Sequence, residues 1–275
     1  MRVLKPFKKK TIFLFGILVS LVIIGQCKNF PYNDENHPDD IEVISQWDLP
    51  QVLNEISGIA YLSENQIACV QDELGSVFIF DTNSKKIIKK IDFGEKGDYE
   101  GITIVEQTIF ILRSDGSLFE LTALGKGNGK AKIHASPFSK GNDFEGLTYD
   151  KRENRLLISM KESKEKNQFR GIYAFNLETK TFEKEPVVKL EFPYEDENLK
   201  FRPSEIAWTE NGIFLLTSKN PAIIRYENEI PKEVYFLDEN QFPQPEGLTF
   251  GENGKIFLSS EGSPGKLFQI ELKKK

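Results

Sequence analysis

Five times along the chain a short segment opens in the same way: Ile56-Ser57-Gly58-Ile59-Ala60-Tyr61, Tyr99-Glu100-Gly101-Ile102-Thr103-Ile104, Phe144-Glu145-Gly146-Leu147-Thr148-Tyr149, Pro203-Ser204-Glu205-Ile206-Ala207-Trp208 and Pro245-Glu246-Gly247-Leu248-Thr249-Phe250. The second residues of these openings are 43, 45, 59 and 42 positions apart. Self-similarity at this period marks a repeated supersecondary unit, one that cannot bury its apolar face alone and must stack against copies of itself.

The unit is built of strands. Beyond residue 40 no long segment carries the helical period; short runs of Ile, Val, Phe and Tyr alternate with turns rich in Gly, Asn, Asp and Lys. Each opening precedes a more apolar run: Ile67 to Val70, Ile109 to Leu112, Leu156 to Ser159, Phe214 to Thr217 and Ile256 to Ser259. A third run follows a turn, as in Ser76 to Asp81, and a polar fourth, such as Lys86 to Asp92, closes most units. Four strands in about 40 to 50 residues form a propeller blade. The last unit stops at Leu272 after its third strand, while Ile41 to Asp48 precedes the first opening with no unit of its own. The expected fold is therefore an all-β propeller of five four-stranded blades, with the N-terminal strand completing the last blade and removing an exposed edge. A six-bladed ring would need a degenerate unit inside the long third repeat, residues 143–202. Its extra length reads instead as loops at 162–169 and 193–201.

The chain has 275 residues with 36 Lys and Arg against 42 Asp and Glu, a net charge of −6. That sum hides two populations. The first 26 residues hold five basic and no acidic side chains, so the rest carries 31 basic against 42 acidic, a net −11. Phosphate recognition needs a basic footprint, so a nucleic-acid partner is not expected. Two cysteines and two histidines supply neither a disulfide framework nor a zinc site of usual spacing. No Gly-x-Ser-x-Gly elbow appears, and His37 and His134 lie in segments that read as surface.

Lys5 and Lys8-Lys9-Lys10 precede an apolar run from Thr11 to Ile24, about 14 residues and short of the ~20 a membrane span requires. This is the pattern of an export signal at residues 1–26. Ile24-Gly25-Gln26-Cys27 resembles the lipobox of bacterial lipoproteins, although Gln26 replaces the usual small residue. Cys27 is then the expected lipidation site, anchoring the protein to the plasma or outer membrane. Residues 27–40, with Pro31, Pro38 and an acidic cluster, read as a flexible tether, and 41–275 as the propeller domain. Cys69 sits in an apolar strand and reads as a small buried hydrophobe.

Aligned on the openings, one column reads Ser57, Glu100, Glu145, Ser204, Glu246; two residues earlier stand Glu55, Asp98, Asp143, Arg202, Gln244. Residues two apart on a strand point the same way, so Asp98 with Glu100 and Asp143 with Glu145 present paired carboxylates. Inner strands converge on the propeller axis, and the repulsion there requires a cation or basic side chains in the gap. An all-oxygen set without imidazole or thiolate suits Ca²⁺, so Asp98, Glu100, Asp143, Glu145 and Glu246 are the expected metal ligands. The alternative is that the glutamates accept backbone N–H bonds near the repeat glycine. A further column at the ends of the second strands, Asp72, Ser114, Lys161, Lys219 and Glu261 with Arg113 beside it, either pairs with this acidic ring or holds an anion through Arg113, Lys161 and Lys219.

The ordered openings, together with the leader, resemble the SdiA-regulated (YjiK-like) family of exported bacterial proteins over about Ile41 to Leu272. The resemblance implies a phytase-like propeller associated with calcium and the cell envelope, without an established enzymatic activity. Glu100, Glu145 and Glu246 match the repeated glutamates, and Ser57 and Ser204 depart from them. Two functions follow as expectations. One is a lipid-anchored, calcium-binding module for a small-molecule or protein ligand. The other is a phosphomonoesterase using calcium-bound water.

Overall fold

The computed structural model describes residues 40–122, 130–138, 140–162, 169–191 and 202–273. The leader, Cys27, the tether before residue 40 and the loop segments 163–168 and 193–201 lie outside them.

The chain begins with β1 (Ile41–Asp48) and then lays down antiparallel sheets in succession. The first blade is β2 (Ile56–Ser63), β3 (Gln66–Gln71), β4 (Ser76–Asp81) and β5 (Lys86–Asp92), and the second β6 (Tyr99–Val105), β7 (Thr108–Arg113), β8 (Leu118–Thr122) and β9 (Lys132–His134). The third holds β10 (Asp143–Asp150), β11 (Arg155–Glu162), β12 (Phe169–Asn176), β13 (Thr181–Phe182) and β14 (Val188–Glu191). Its outer position is divided, since β13 and β14 both pair with β12, and the long third repeat is thus one blade with a broken outer strand. The fourth is β15 (Pro203–Thr209), β16 (Gly212–Thr217), β17 (Ala222–Glu227) and β18 (Ile230–Phe236). The fifth is β19 (Pro245–Phe250), β20 (Ile256–Ser260) and β21 (Lys266–Leu272), with β1 as its fourth strand. β1 pairs antiparallel to β21 from Ile41 opposite Leu272 to Asp48 opposite Lys266, so the expected closure is present.

Burial follows the blade interfaces. One apolar cluster fills each of the five interfaces; that between blades 4 and 5, for example, joins Leu216, Ile223 and Phe242 to Leu258 and Phe268. Full burial of such side chains contributes about 1.5–3 kcal/mol each, and all of it depends on every blade having two neighbours. Cys69 is fully buried, and burial drives its thiol far from ionisation. The inner strands β2, β6, β10, β15 and β19 touch in cyclic order around the axis. Each starts with a register shift against its second strand, as between Tyr99 and Gly101 or between Pro245 and Gly247. Toward their other ends, Thr148 Oγ1 accepts the Trp208 N–H at 3.0 Å and Thr249 Oγ1 the Tyr61 N–H at 3.2 Å, tying blade to blade. A cavity of about 140 Å³ lies there on the axis.

His134 corrects a sequence expectation. It is only 9% exposed, whereas its apolar neighbour Ile133 is 59% exposed. The three-residue β9 turns the imidazole inward, edge-on to Phe175 of the next blade at 4.8 Å and with Nε2 2.7 Å from Glu120. Lys180 of blade 3 also donates to Glu120, at 2.9 Å. Burial opposes ionisation of Glu120, but the Lys180 and His134 bonds hold it below the ordinary carboxylate value.

Removing residues 41–48 strips β21 of its outer partner and removes the Trp47 ring from Phe257. The truncated protein is expected to melt more than 10 °C lower than the full chain or to aggregate, as read by differential scanning calorimetry and light scattering. An unchanged melting temperature would show that β1 does not close the ring.

Candidate functional site: the acidic channel mouth

The inner strands all begin at one end of the channel, where the second strands end. Backbone bonds fix this rim: the N–H groups of Asp72, Ser114, Ser218 and Glu261 donate to the carbonyls of Glu55, Asp98, Arg202 and Gln244 at 3.4, 2.9, 3.2 and 2.9 Å. Ser218 therefore takes the place in blade 4 that alignment gave to Lys219, and Lys219 stands one residue beyond it, exposed.

Of the expected acidic residues, Glu145 and Glu246 are buried, Glu100 and Asp143 half-buried, and Asp98 exposed. Lys161 rises among them from the end of β11. Its ammonium donates to Glu145 and acts electrostatically on Glu246, Glu100 and Asp143. Burial alone would weaken that ammonium, but Glu145, then Glu246 and Asp143, raise its pKa. The carboxyls shift further. Burial, then Glu145 and Asp98, push Glu100 up to about 10. Burial takes Glu145 to about 8 against the opposing pull of Lys161, and Glu246 to about 7 against the same pull. Glu261, which bonds Gln244, is raised by burial and by Glu246 to about 7, and burial also raises Asp143 and Asp72. Among the described residues the mouth thus holds more carboxyl groups than Lys161 and Arg202 can balance, and those carboxyls hold their protons more tightly than ordinary ones.

The other basic residues have their own partners or face solvent. Arg113 is held by both oxygens of Asp115, at 3.1 and 2.7 Å, Arg202 pairs with Glu162, and Lys219 is exposed. The serines that interrupt the glutamate column serve the ring instead: Ser57 Oγ donates to the Tyr99 carbonyl at 2.6 Å and Ser204 Oγ to that of Pro245 at 3.0 Å, each reaching the next blade.

One residue of the site was not singled out in the sequence. Glu205 occupies the repeat's glycine position, is 1% exposed, and sets its carboxyl against the β10 backbone at Leu147, two residues beyond Glu145, where the charges of Glu145 and Glu246 act on it. Its Oε1 accepts N–H bonds from Leu147 at 2.8 Å and Ile206 at 2.9 Å. The sequence signal for it is the loss of glycine in Pro203-Ser204-Glu205-Ile206.

The donors, all oxygen, have the chemistry of a hard-cation site. In the arrangement described, among the described residues, no three His, Cys, Asp or Glu side chains stand close enough to share one metal ion, and Lys161 supplies the positive charge. A larger hollow of about 870 Å³ lies between blades 3 and 4, away from this mouth, but its basic side chains are already engaged: Arg155 with Asp150 at 3.0 Å, Arg225 with Glu233 at 2.7 Å, and Arg152 over the Trp208 ring.

Fold and site together define a five-bladed β-propeller with a carboxyl-lined channel mouth. The chain belongs to the SdiA-regulated family, whose profile matches residues 37–271. No curated protein matches it significantly. Among solved structures it is similar to the glutaminyl cyclase of Myxococcus xanthus (TM-score 0.60, 12% identity, 85% of this chain and 96% of that one). It is also similar to the PQQ-bound aldose sugar dehydrogenase of Streptomyces coelicolor (0.55, 12%, 85% and 98%) and to a streptogramin B lyase (0.52, 13%, 85% and 98%). At these identities the likeness is one of fold.

The raised carboxyls make stability fall with pH. Each binds its proton more tightly folded than unfolded, so its contribution is intact below about 4.5 and is lost as pH rises toward 7 or 8. In chelator, Glu246→Gln is expected to melt progressively higher than the parent as pH goes from 5 to 8, by calorimetry. Parallel pH curves for the two proteins would contradict this.

Proposed function

We propose that this chain is an exported, lipid-anchored binding module of the cell envelope whose recognition site is the acidic channel mouth and whose ligand there is a cation, calcium first among candidates. The observation that carries the reading is the convergence of buried and half-buried carboxyls from blades 2, 3 and 5 at one rim, where Lys161 bonds Glu145 and, among the described residues, only Arg202 beside it acts on them as a second cation. A cation with higher charge would relieve repulsion that Lys161 and Arg202 leave standing. Oxygen donors alone favour a hard ion, and Glu100, Glu145, Glu246, Asp98 and Asp143 are the residues that would hold it, drawing closer together than they stand without it. Calcium bound there would supply charge neutralisation, while Lys161 and the serine bonds between blades keep the rim assembled. Export and anchoring rest on the basic leader, its apolar run and Cys27.

The phosphomonoesterase reading has less support, since a substrate phosphate would be held by Arg113, Lys161 or Lys219 and two of these already have carboxylate partners. Arg113 is committed to Asp115, and Lys161 to Glu145.

Calcium at a hundred times its dissociation constant stabilises a binding protein by about 2.7 kcal/mol, or roughly 5–10 °C for a domain of this size. The parent is expected to show such a shift, and the Glu100→Gln, Glu145→Gln double variant to lose it. Identical calcium-dependent melting in the two would refute calcium at this mouth. Phytate and a generic phosphoester should not be turned over with or without calcium. Cys27→Ser should move the exported protein from the membrane to the soluble fraction, as read by fractionation.

A further inference from the structure

Four blades carry glycine where their inner strands approach most closely. A Cβ at Gly101 would stand 2.7 Å from the Glu145 carbonyl oxygen, and one at Gly247 3.1 Å from the Ile59 nitrogen. Blade 4 places Glu205 at this position. One oxygen of its carboxyl is used by the fold, accepting from Leu147 of blade 3 and from Ile206. The other, Oε2, is buried without a hydrogen-bond partner. Leaving a buried acceptor unpaired costs about 1–3 kcal/mol, and more for a charged group. A glutamine would keep the bonds to Leu147 and Ile206 without burying an acid, so packing alone does not account for the carboxyl. The next blade holds a second such atom, Ser259 Oγ, buried, without a partner and beside the position of Gly247.

We propose that Glu205 Oε2 is the innermost contact of the ligand taken at the acidic mouth, and that this ligand presents a single small positive head group reaching past Glu145 and Glu246 along the axis. This rests on the cation-binding reading above and adds its depth and a decisive residue. A calcium ion and a primary ammonium share the required chemistry: each offers positive charge to a carboxylate oxygen, and each is small enough to approach the axis. Glu205 acts on the ligand directly; its Oε1 meanwhile fixes the seam between blades 3 and 4. Because the two oxygens have separate tasks, Glu205→Gln removes the first task and preserves the second.

Binding of calcium chloride and, separately, of methylammonium to the parent and to Glu205→Gln is measured by titration calorimetry, with melting of both proteins recorded in chelator. Glu205→Gln is expected to melt at or above the parent temperature and to bind at least tenfold more weakly whichever cation the parent binds. The arm that gives heat in the parent identifies the head group. Parent-like affinity in Glu205→Gln overturns this inference and leaves cation binding at the mouth intact. A drop in melting of 10 °C or more overturns it as well, since Glu205 would then be a structural wedge. A parent that binds neither probe overturns the mouth reading and this inference together.

Discussion

The structure depends on how closely five inner strands meet at one axis. With a hypothetical Cβ at Gly101 only 2.7 Å from a carbonyl oxygen of the next blade, the backbone itself is the packing surface there. In the four blades that carry glycine a side chain has no room at that step, so the residue before it is directed to the rim, and the register shift at the start of each inner strand accommodates the turn. The glutamates at 100, 145 and 246 hold their places for this reason. Their convergence follows from backbone crowding, and the electrostatic cost comes with it.

That cost is met in several ways at once. Lys161 neutralises Glu145 directly and Glu246 partly, the carboxyls retain protons, and Ser57 and Ser204 replace two potential carboxylates with hydroxyls that tie adjacent blades. Five identical glutamates would leave a ring with far more repulsion and fewer seams. The irregularity of the column is what allows an acidic mouth and a closed ring to coexist.

Much of this was legible in the sequence. The openings give the blade count, the apolar runs give the second strands, and the unmatched Ile41 to Asp48 gives the closure, because each is a local pattern with a fixed geometric meaning. Tertiary partners were less accessible. For Lys161 the sequence leaves two readings, pairing with the acidic ring or holding an anion, and its bond to Glu145 is the first of them. Lys219 fell into the column by counting, yet a backbone bond assigns that place to Ser218. Glu205 is masked in the sequence by its neighbour, since Ser204 matches Ser57 in the column and the missing glycine follows it. His134 was misplaced because its strand is three residues long, and its side-chain directions are set by Phe175 of the next blade, not by alternation of hydropathy.

Closure by β1 has a directional consequence. β1 runs from Ile41, beside Leu272, to Asp48, beside Lys266, and Asp48 lies toward the end at which the inner strands start. Asp40 and Lys273 are joined by a backbone bond of 2.9 Å, so the described chain enters and leaves on the side opposite the carboxyl-lined opening. A propeller held from residue 40 is held by its back. A partner that grips the chain at residue 40 would meet the face of the ring away from the carboxyl-lined opening, and its point of attachment would leave that opening uncovered.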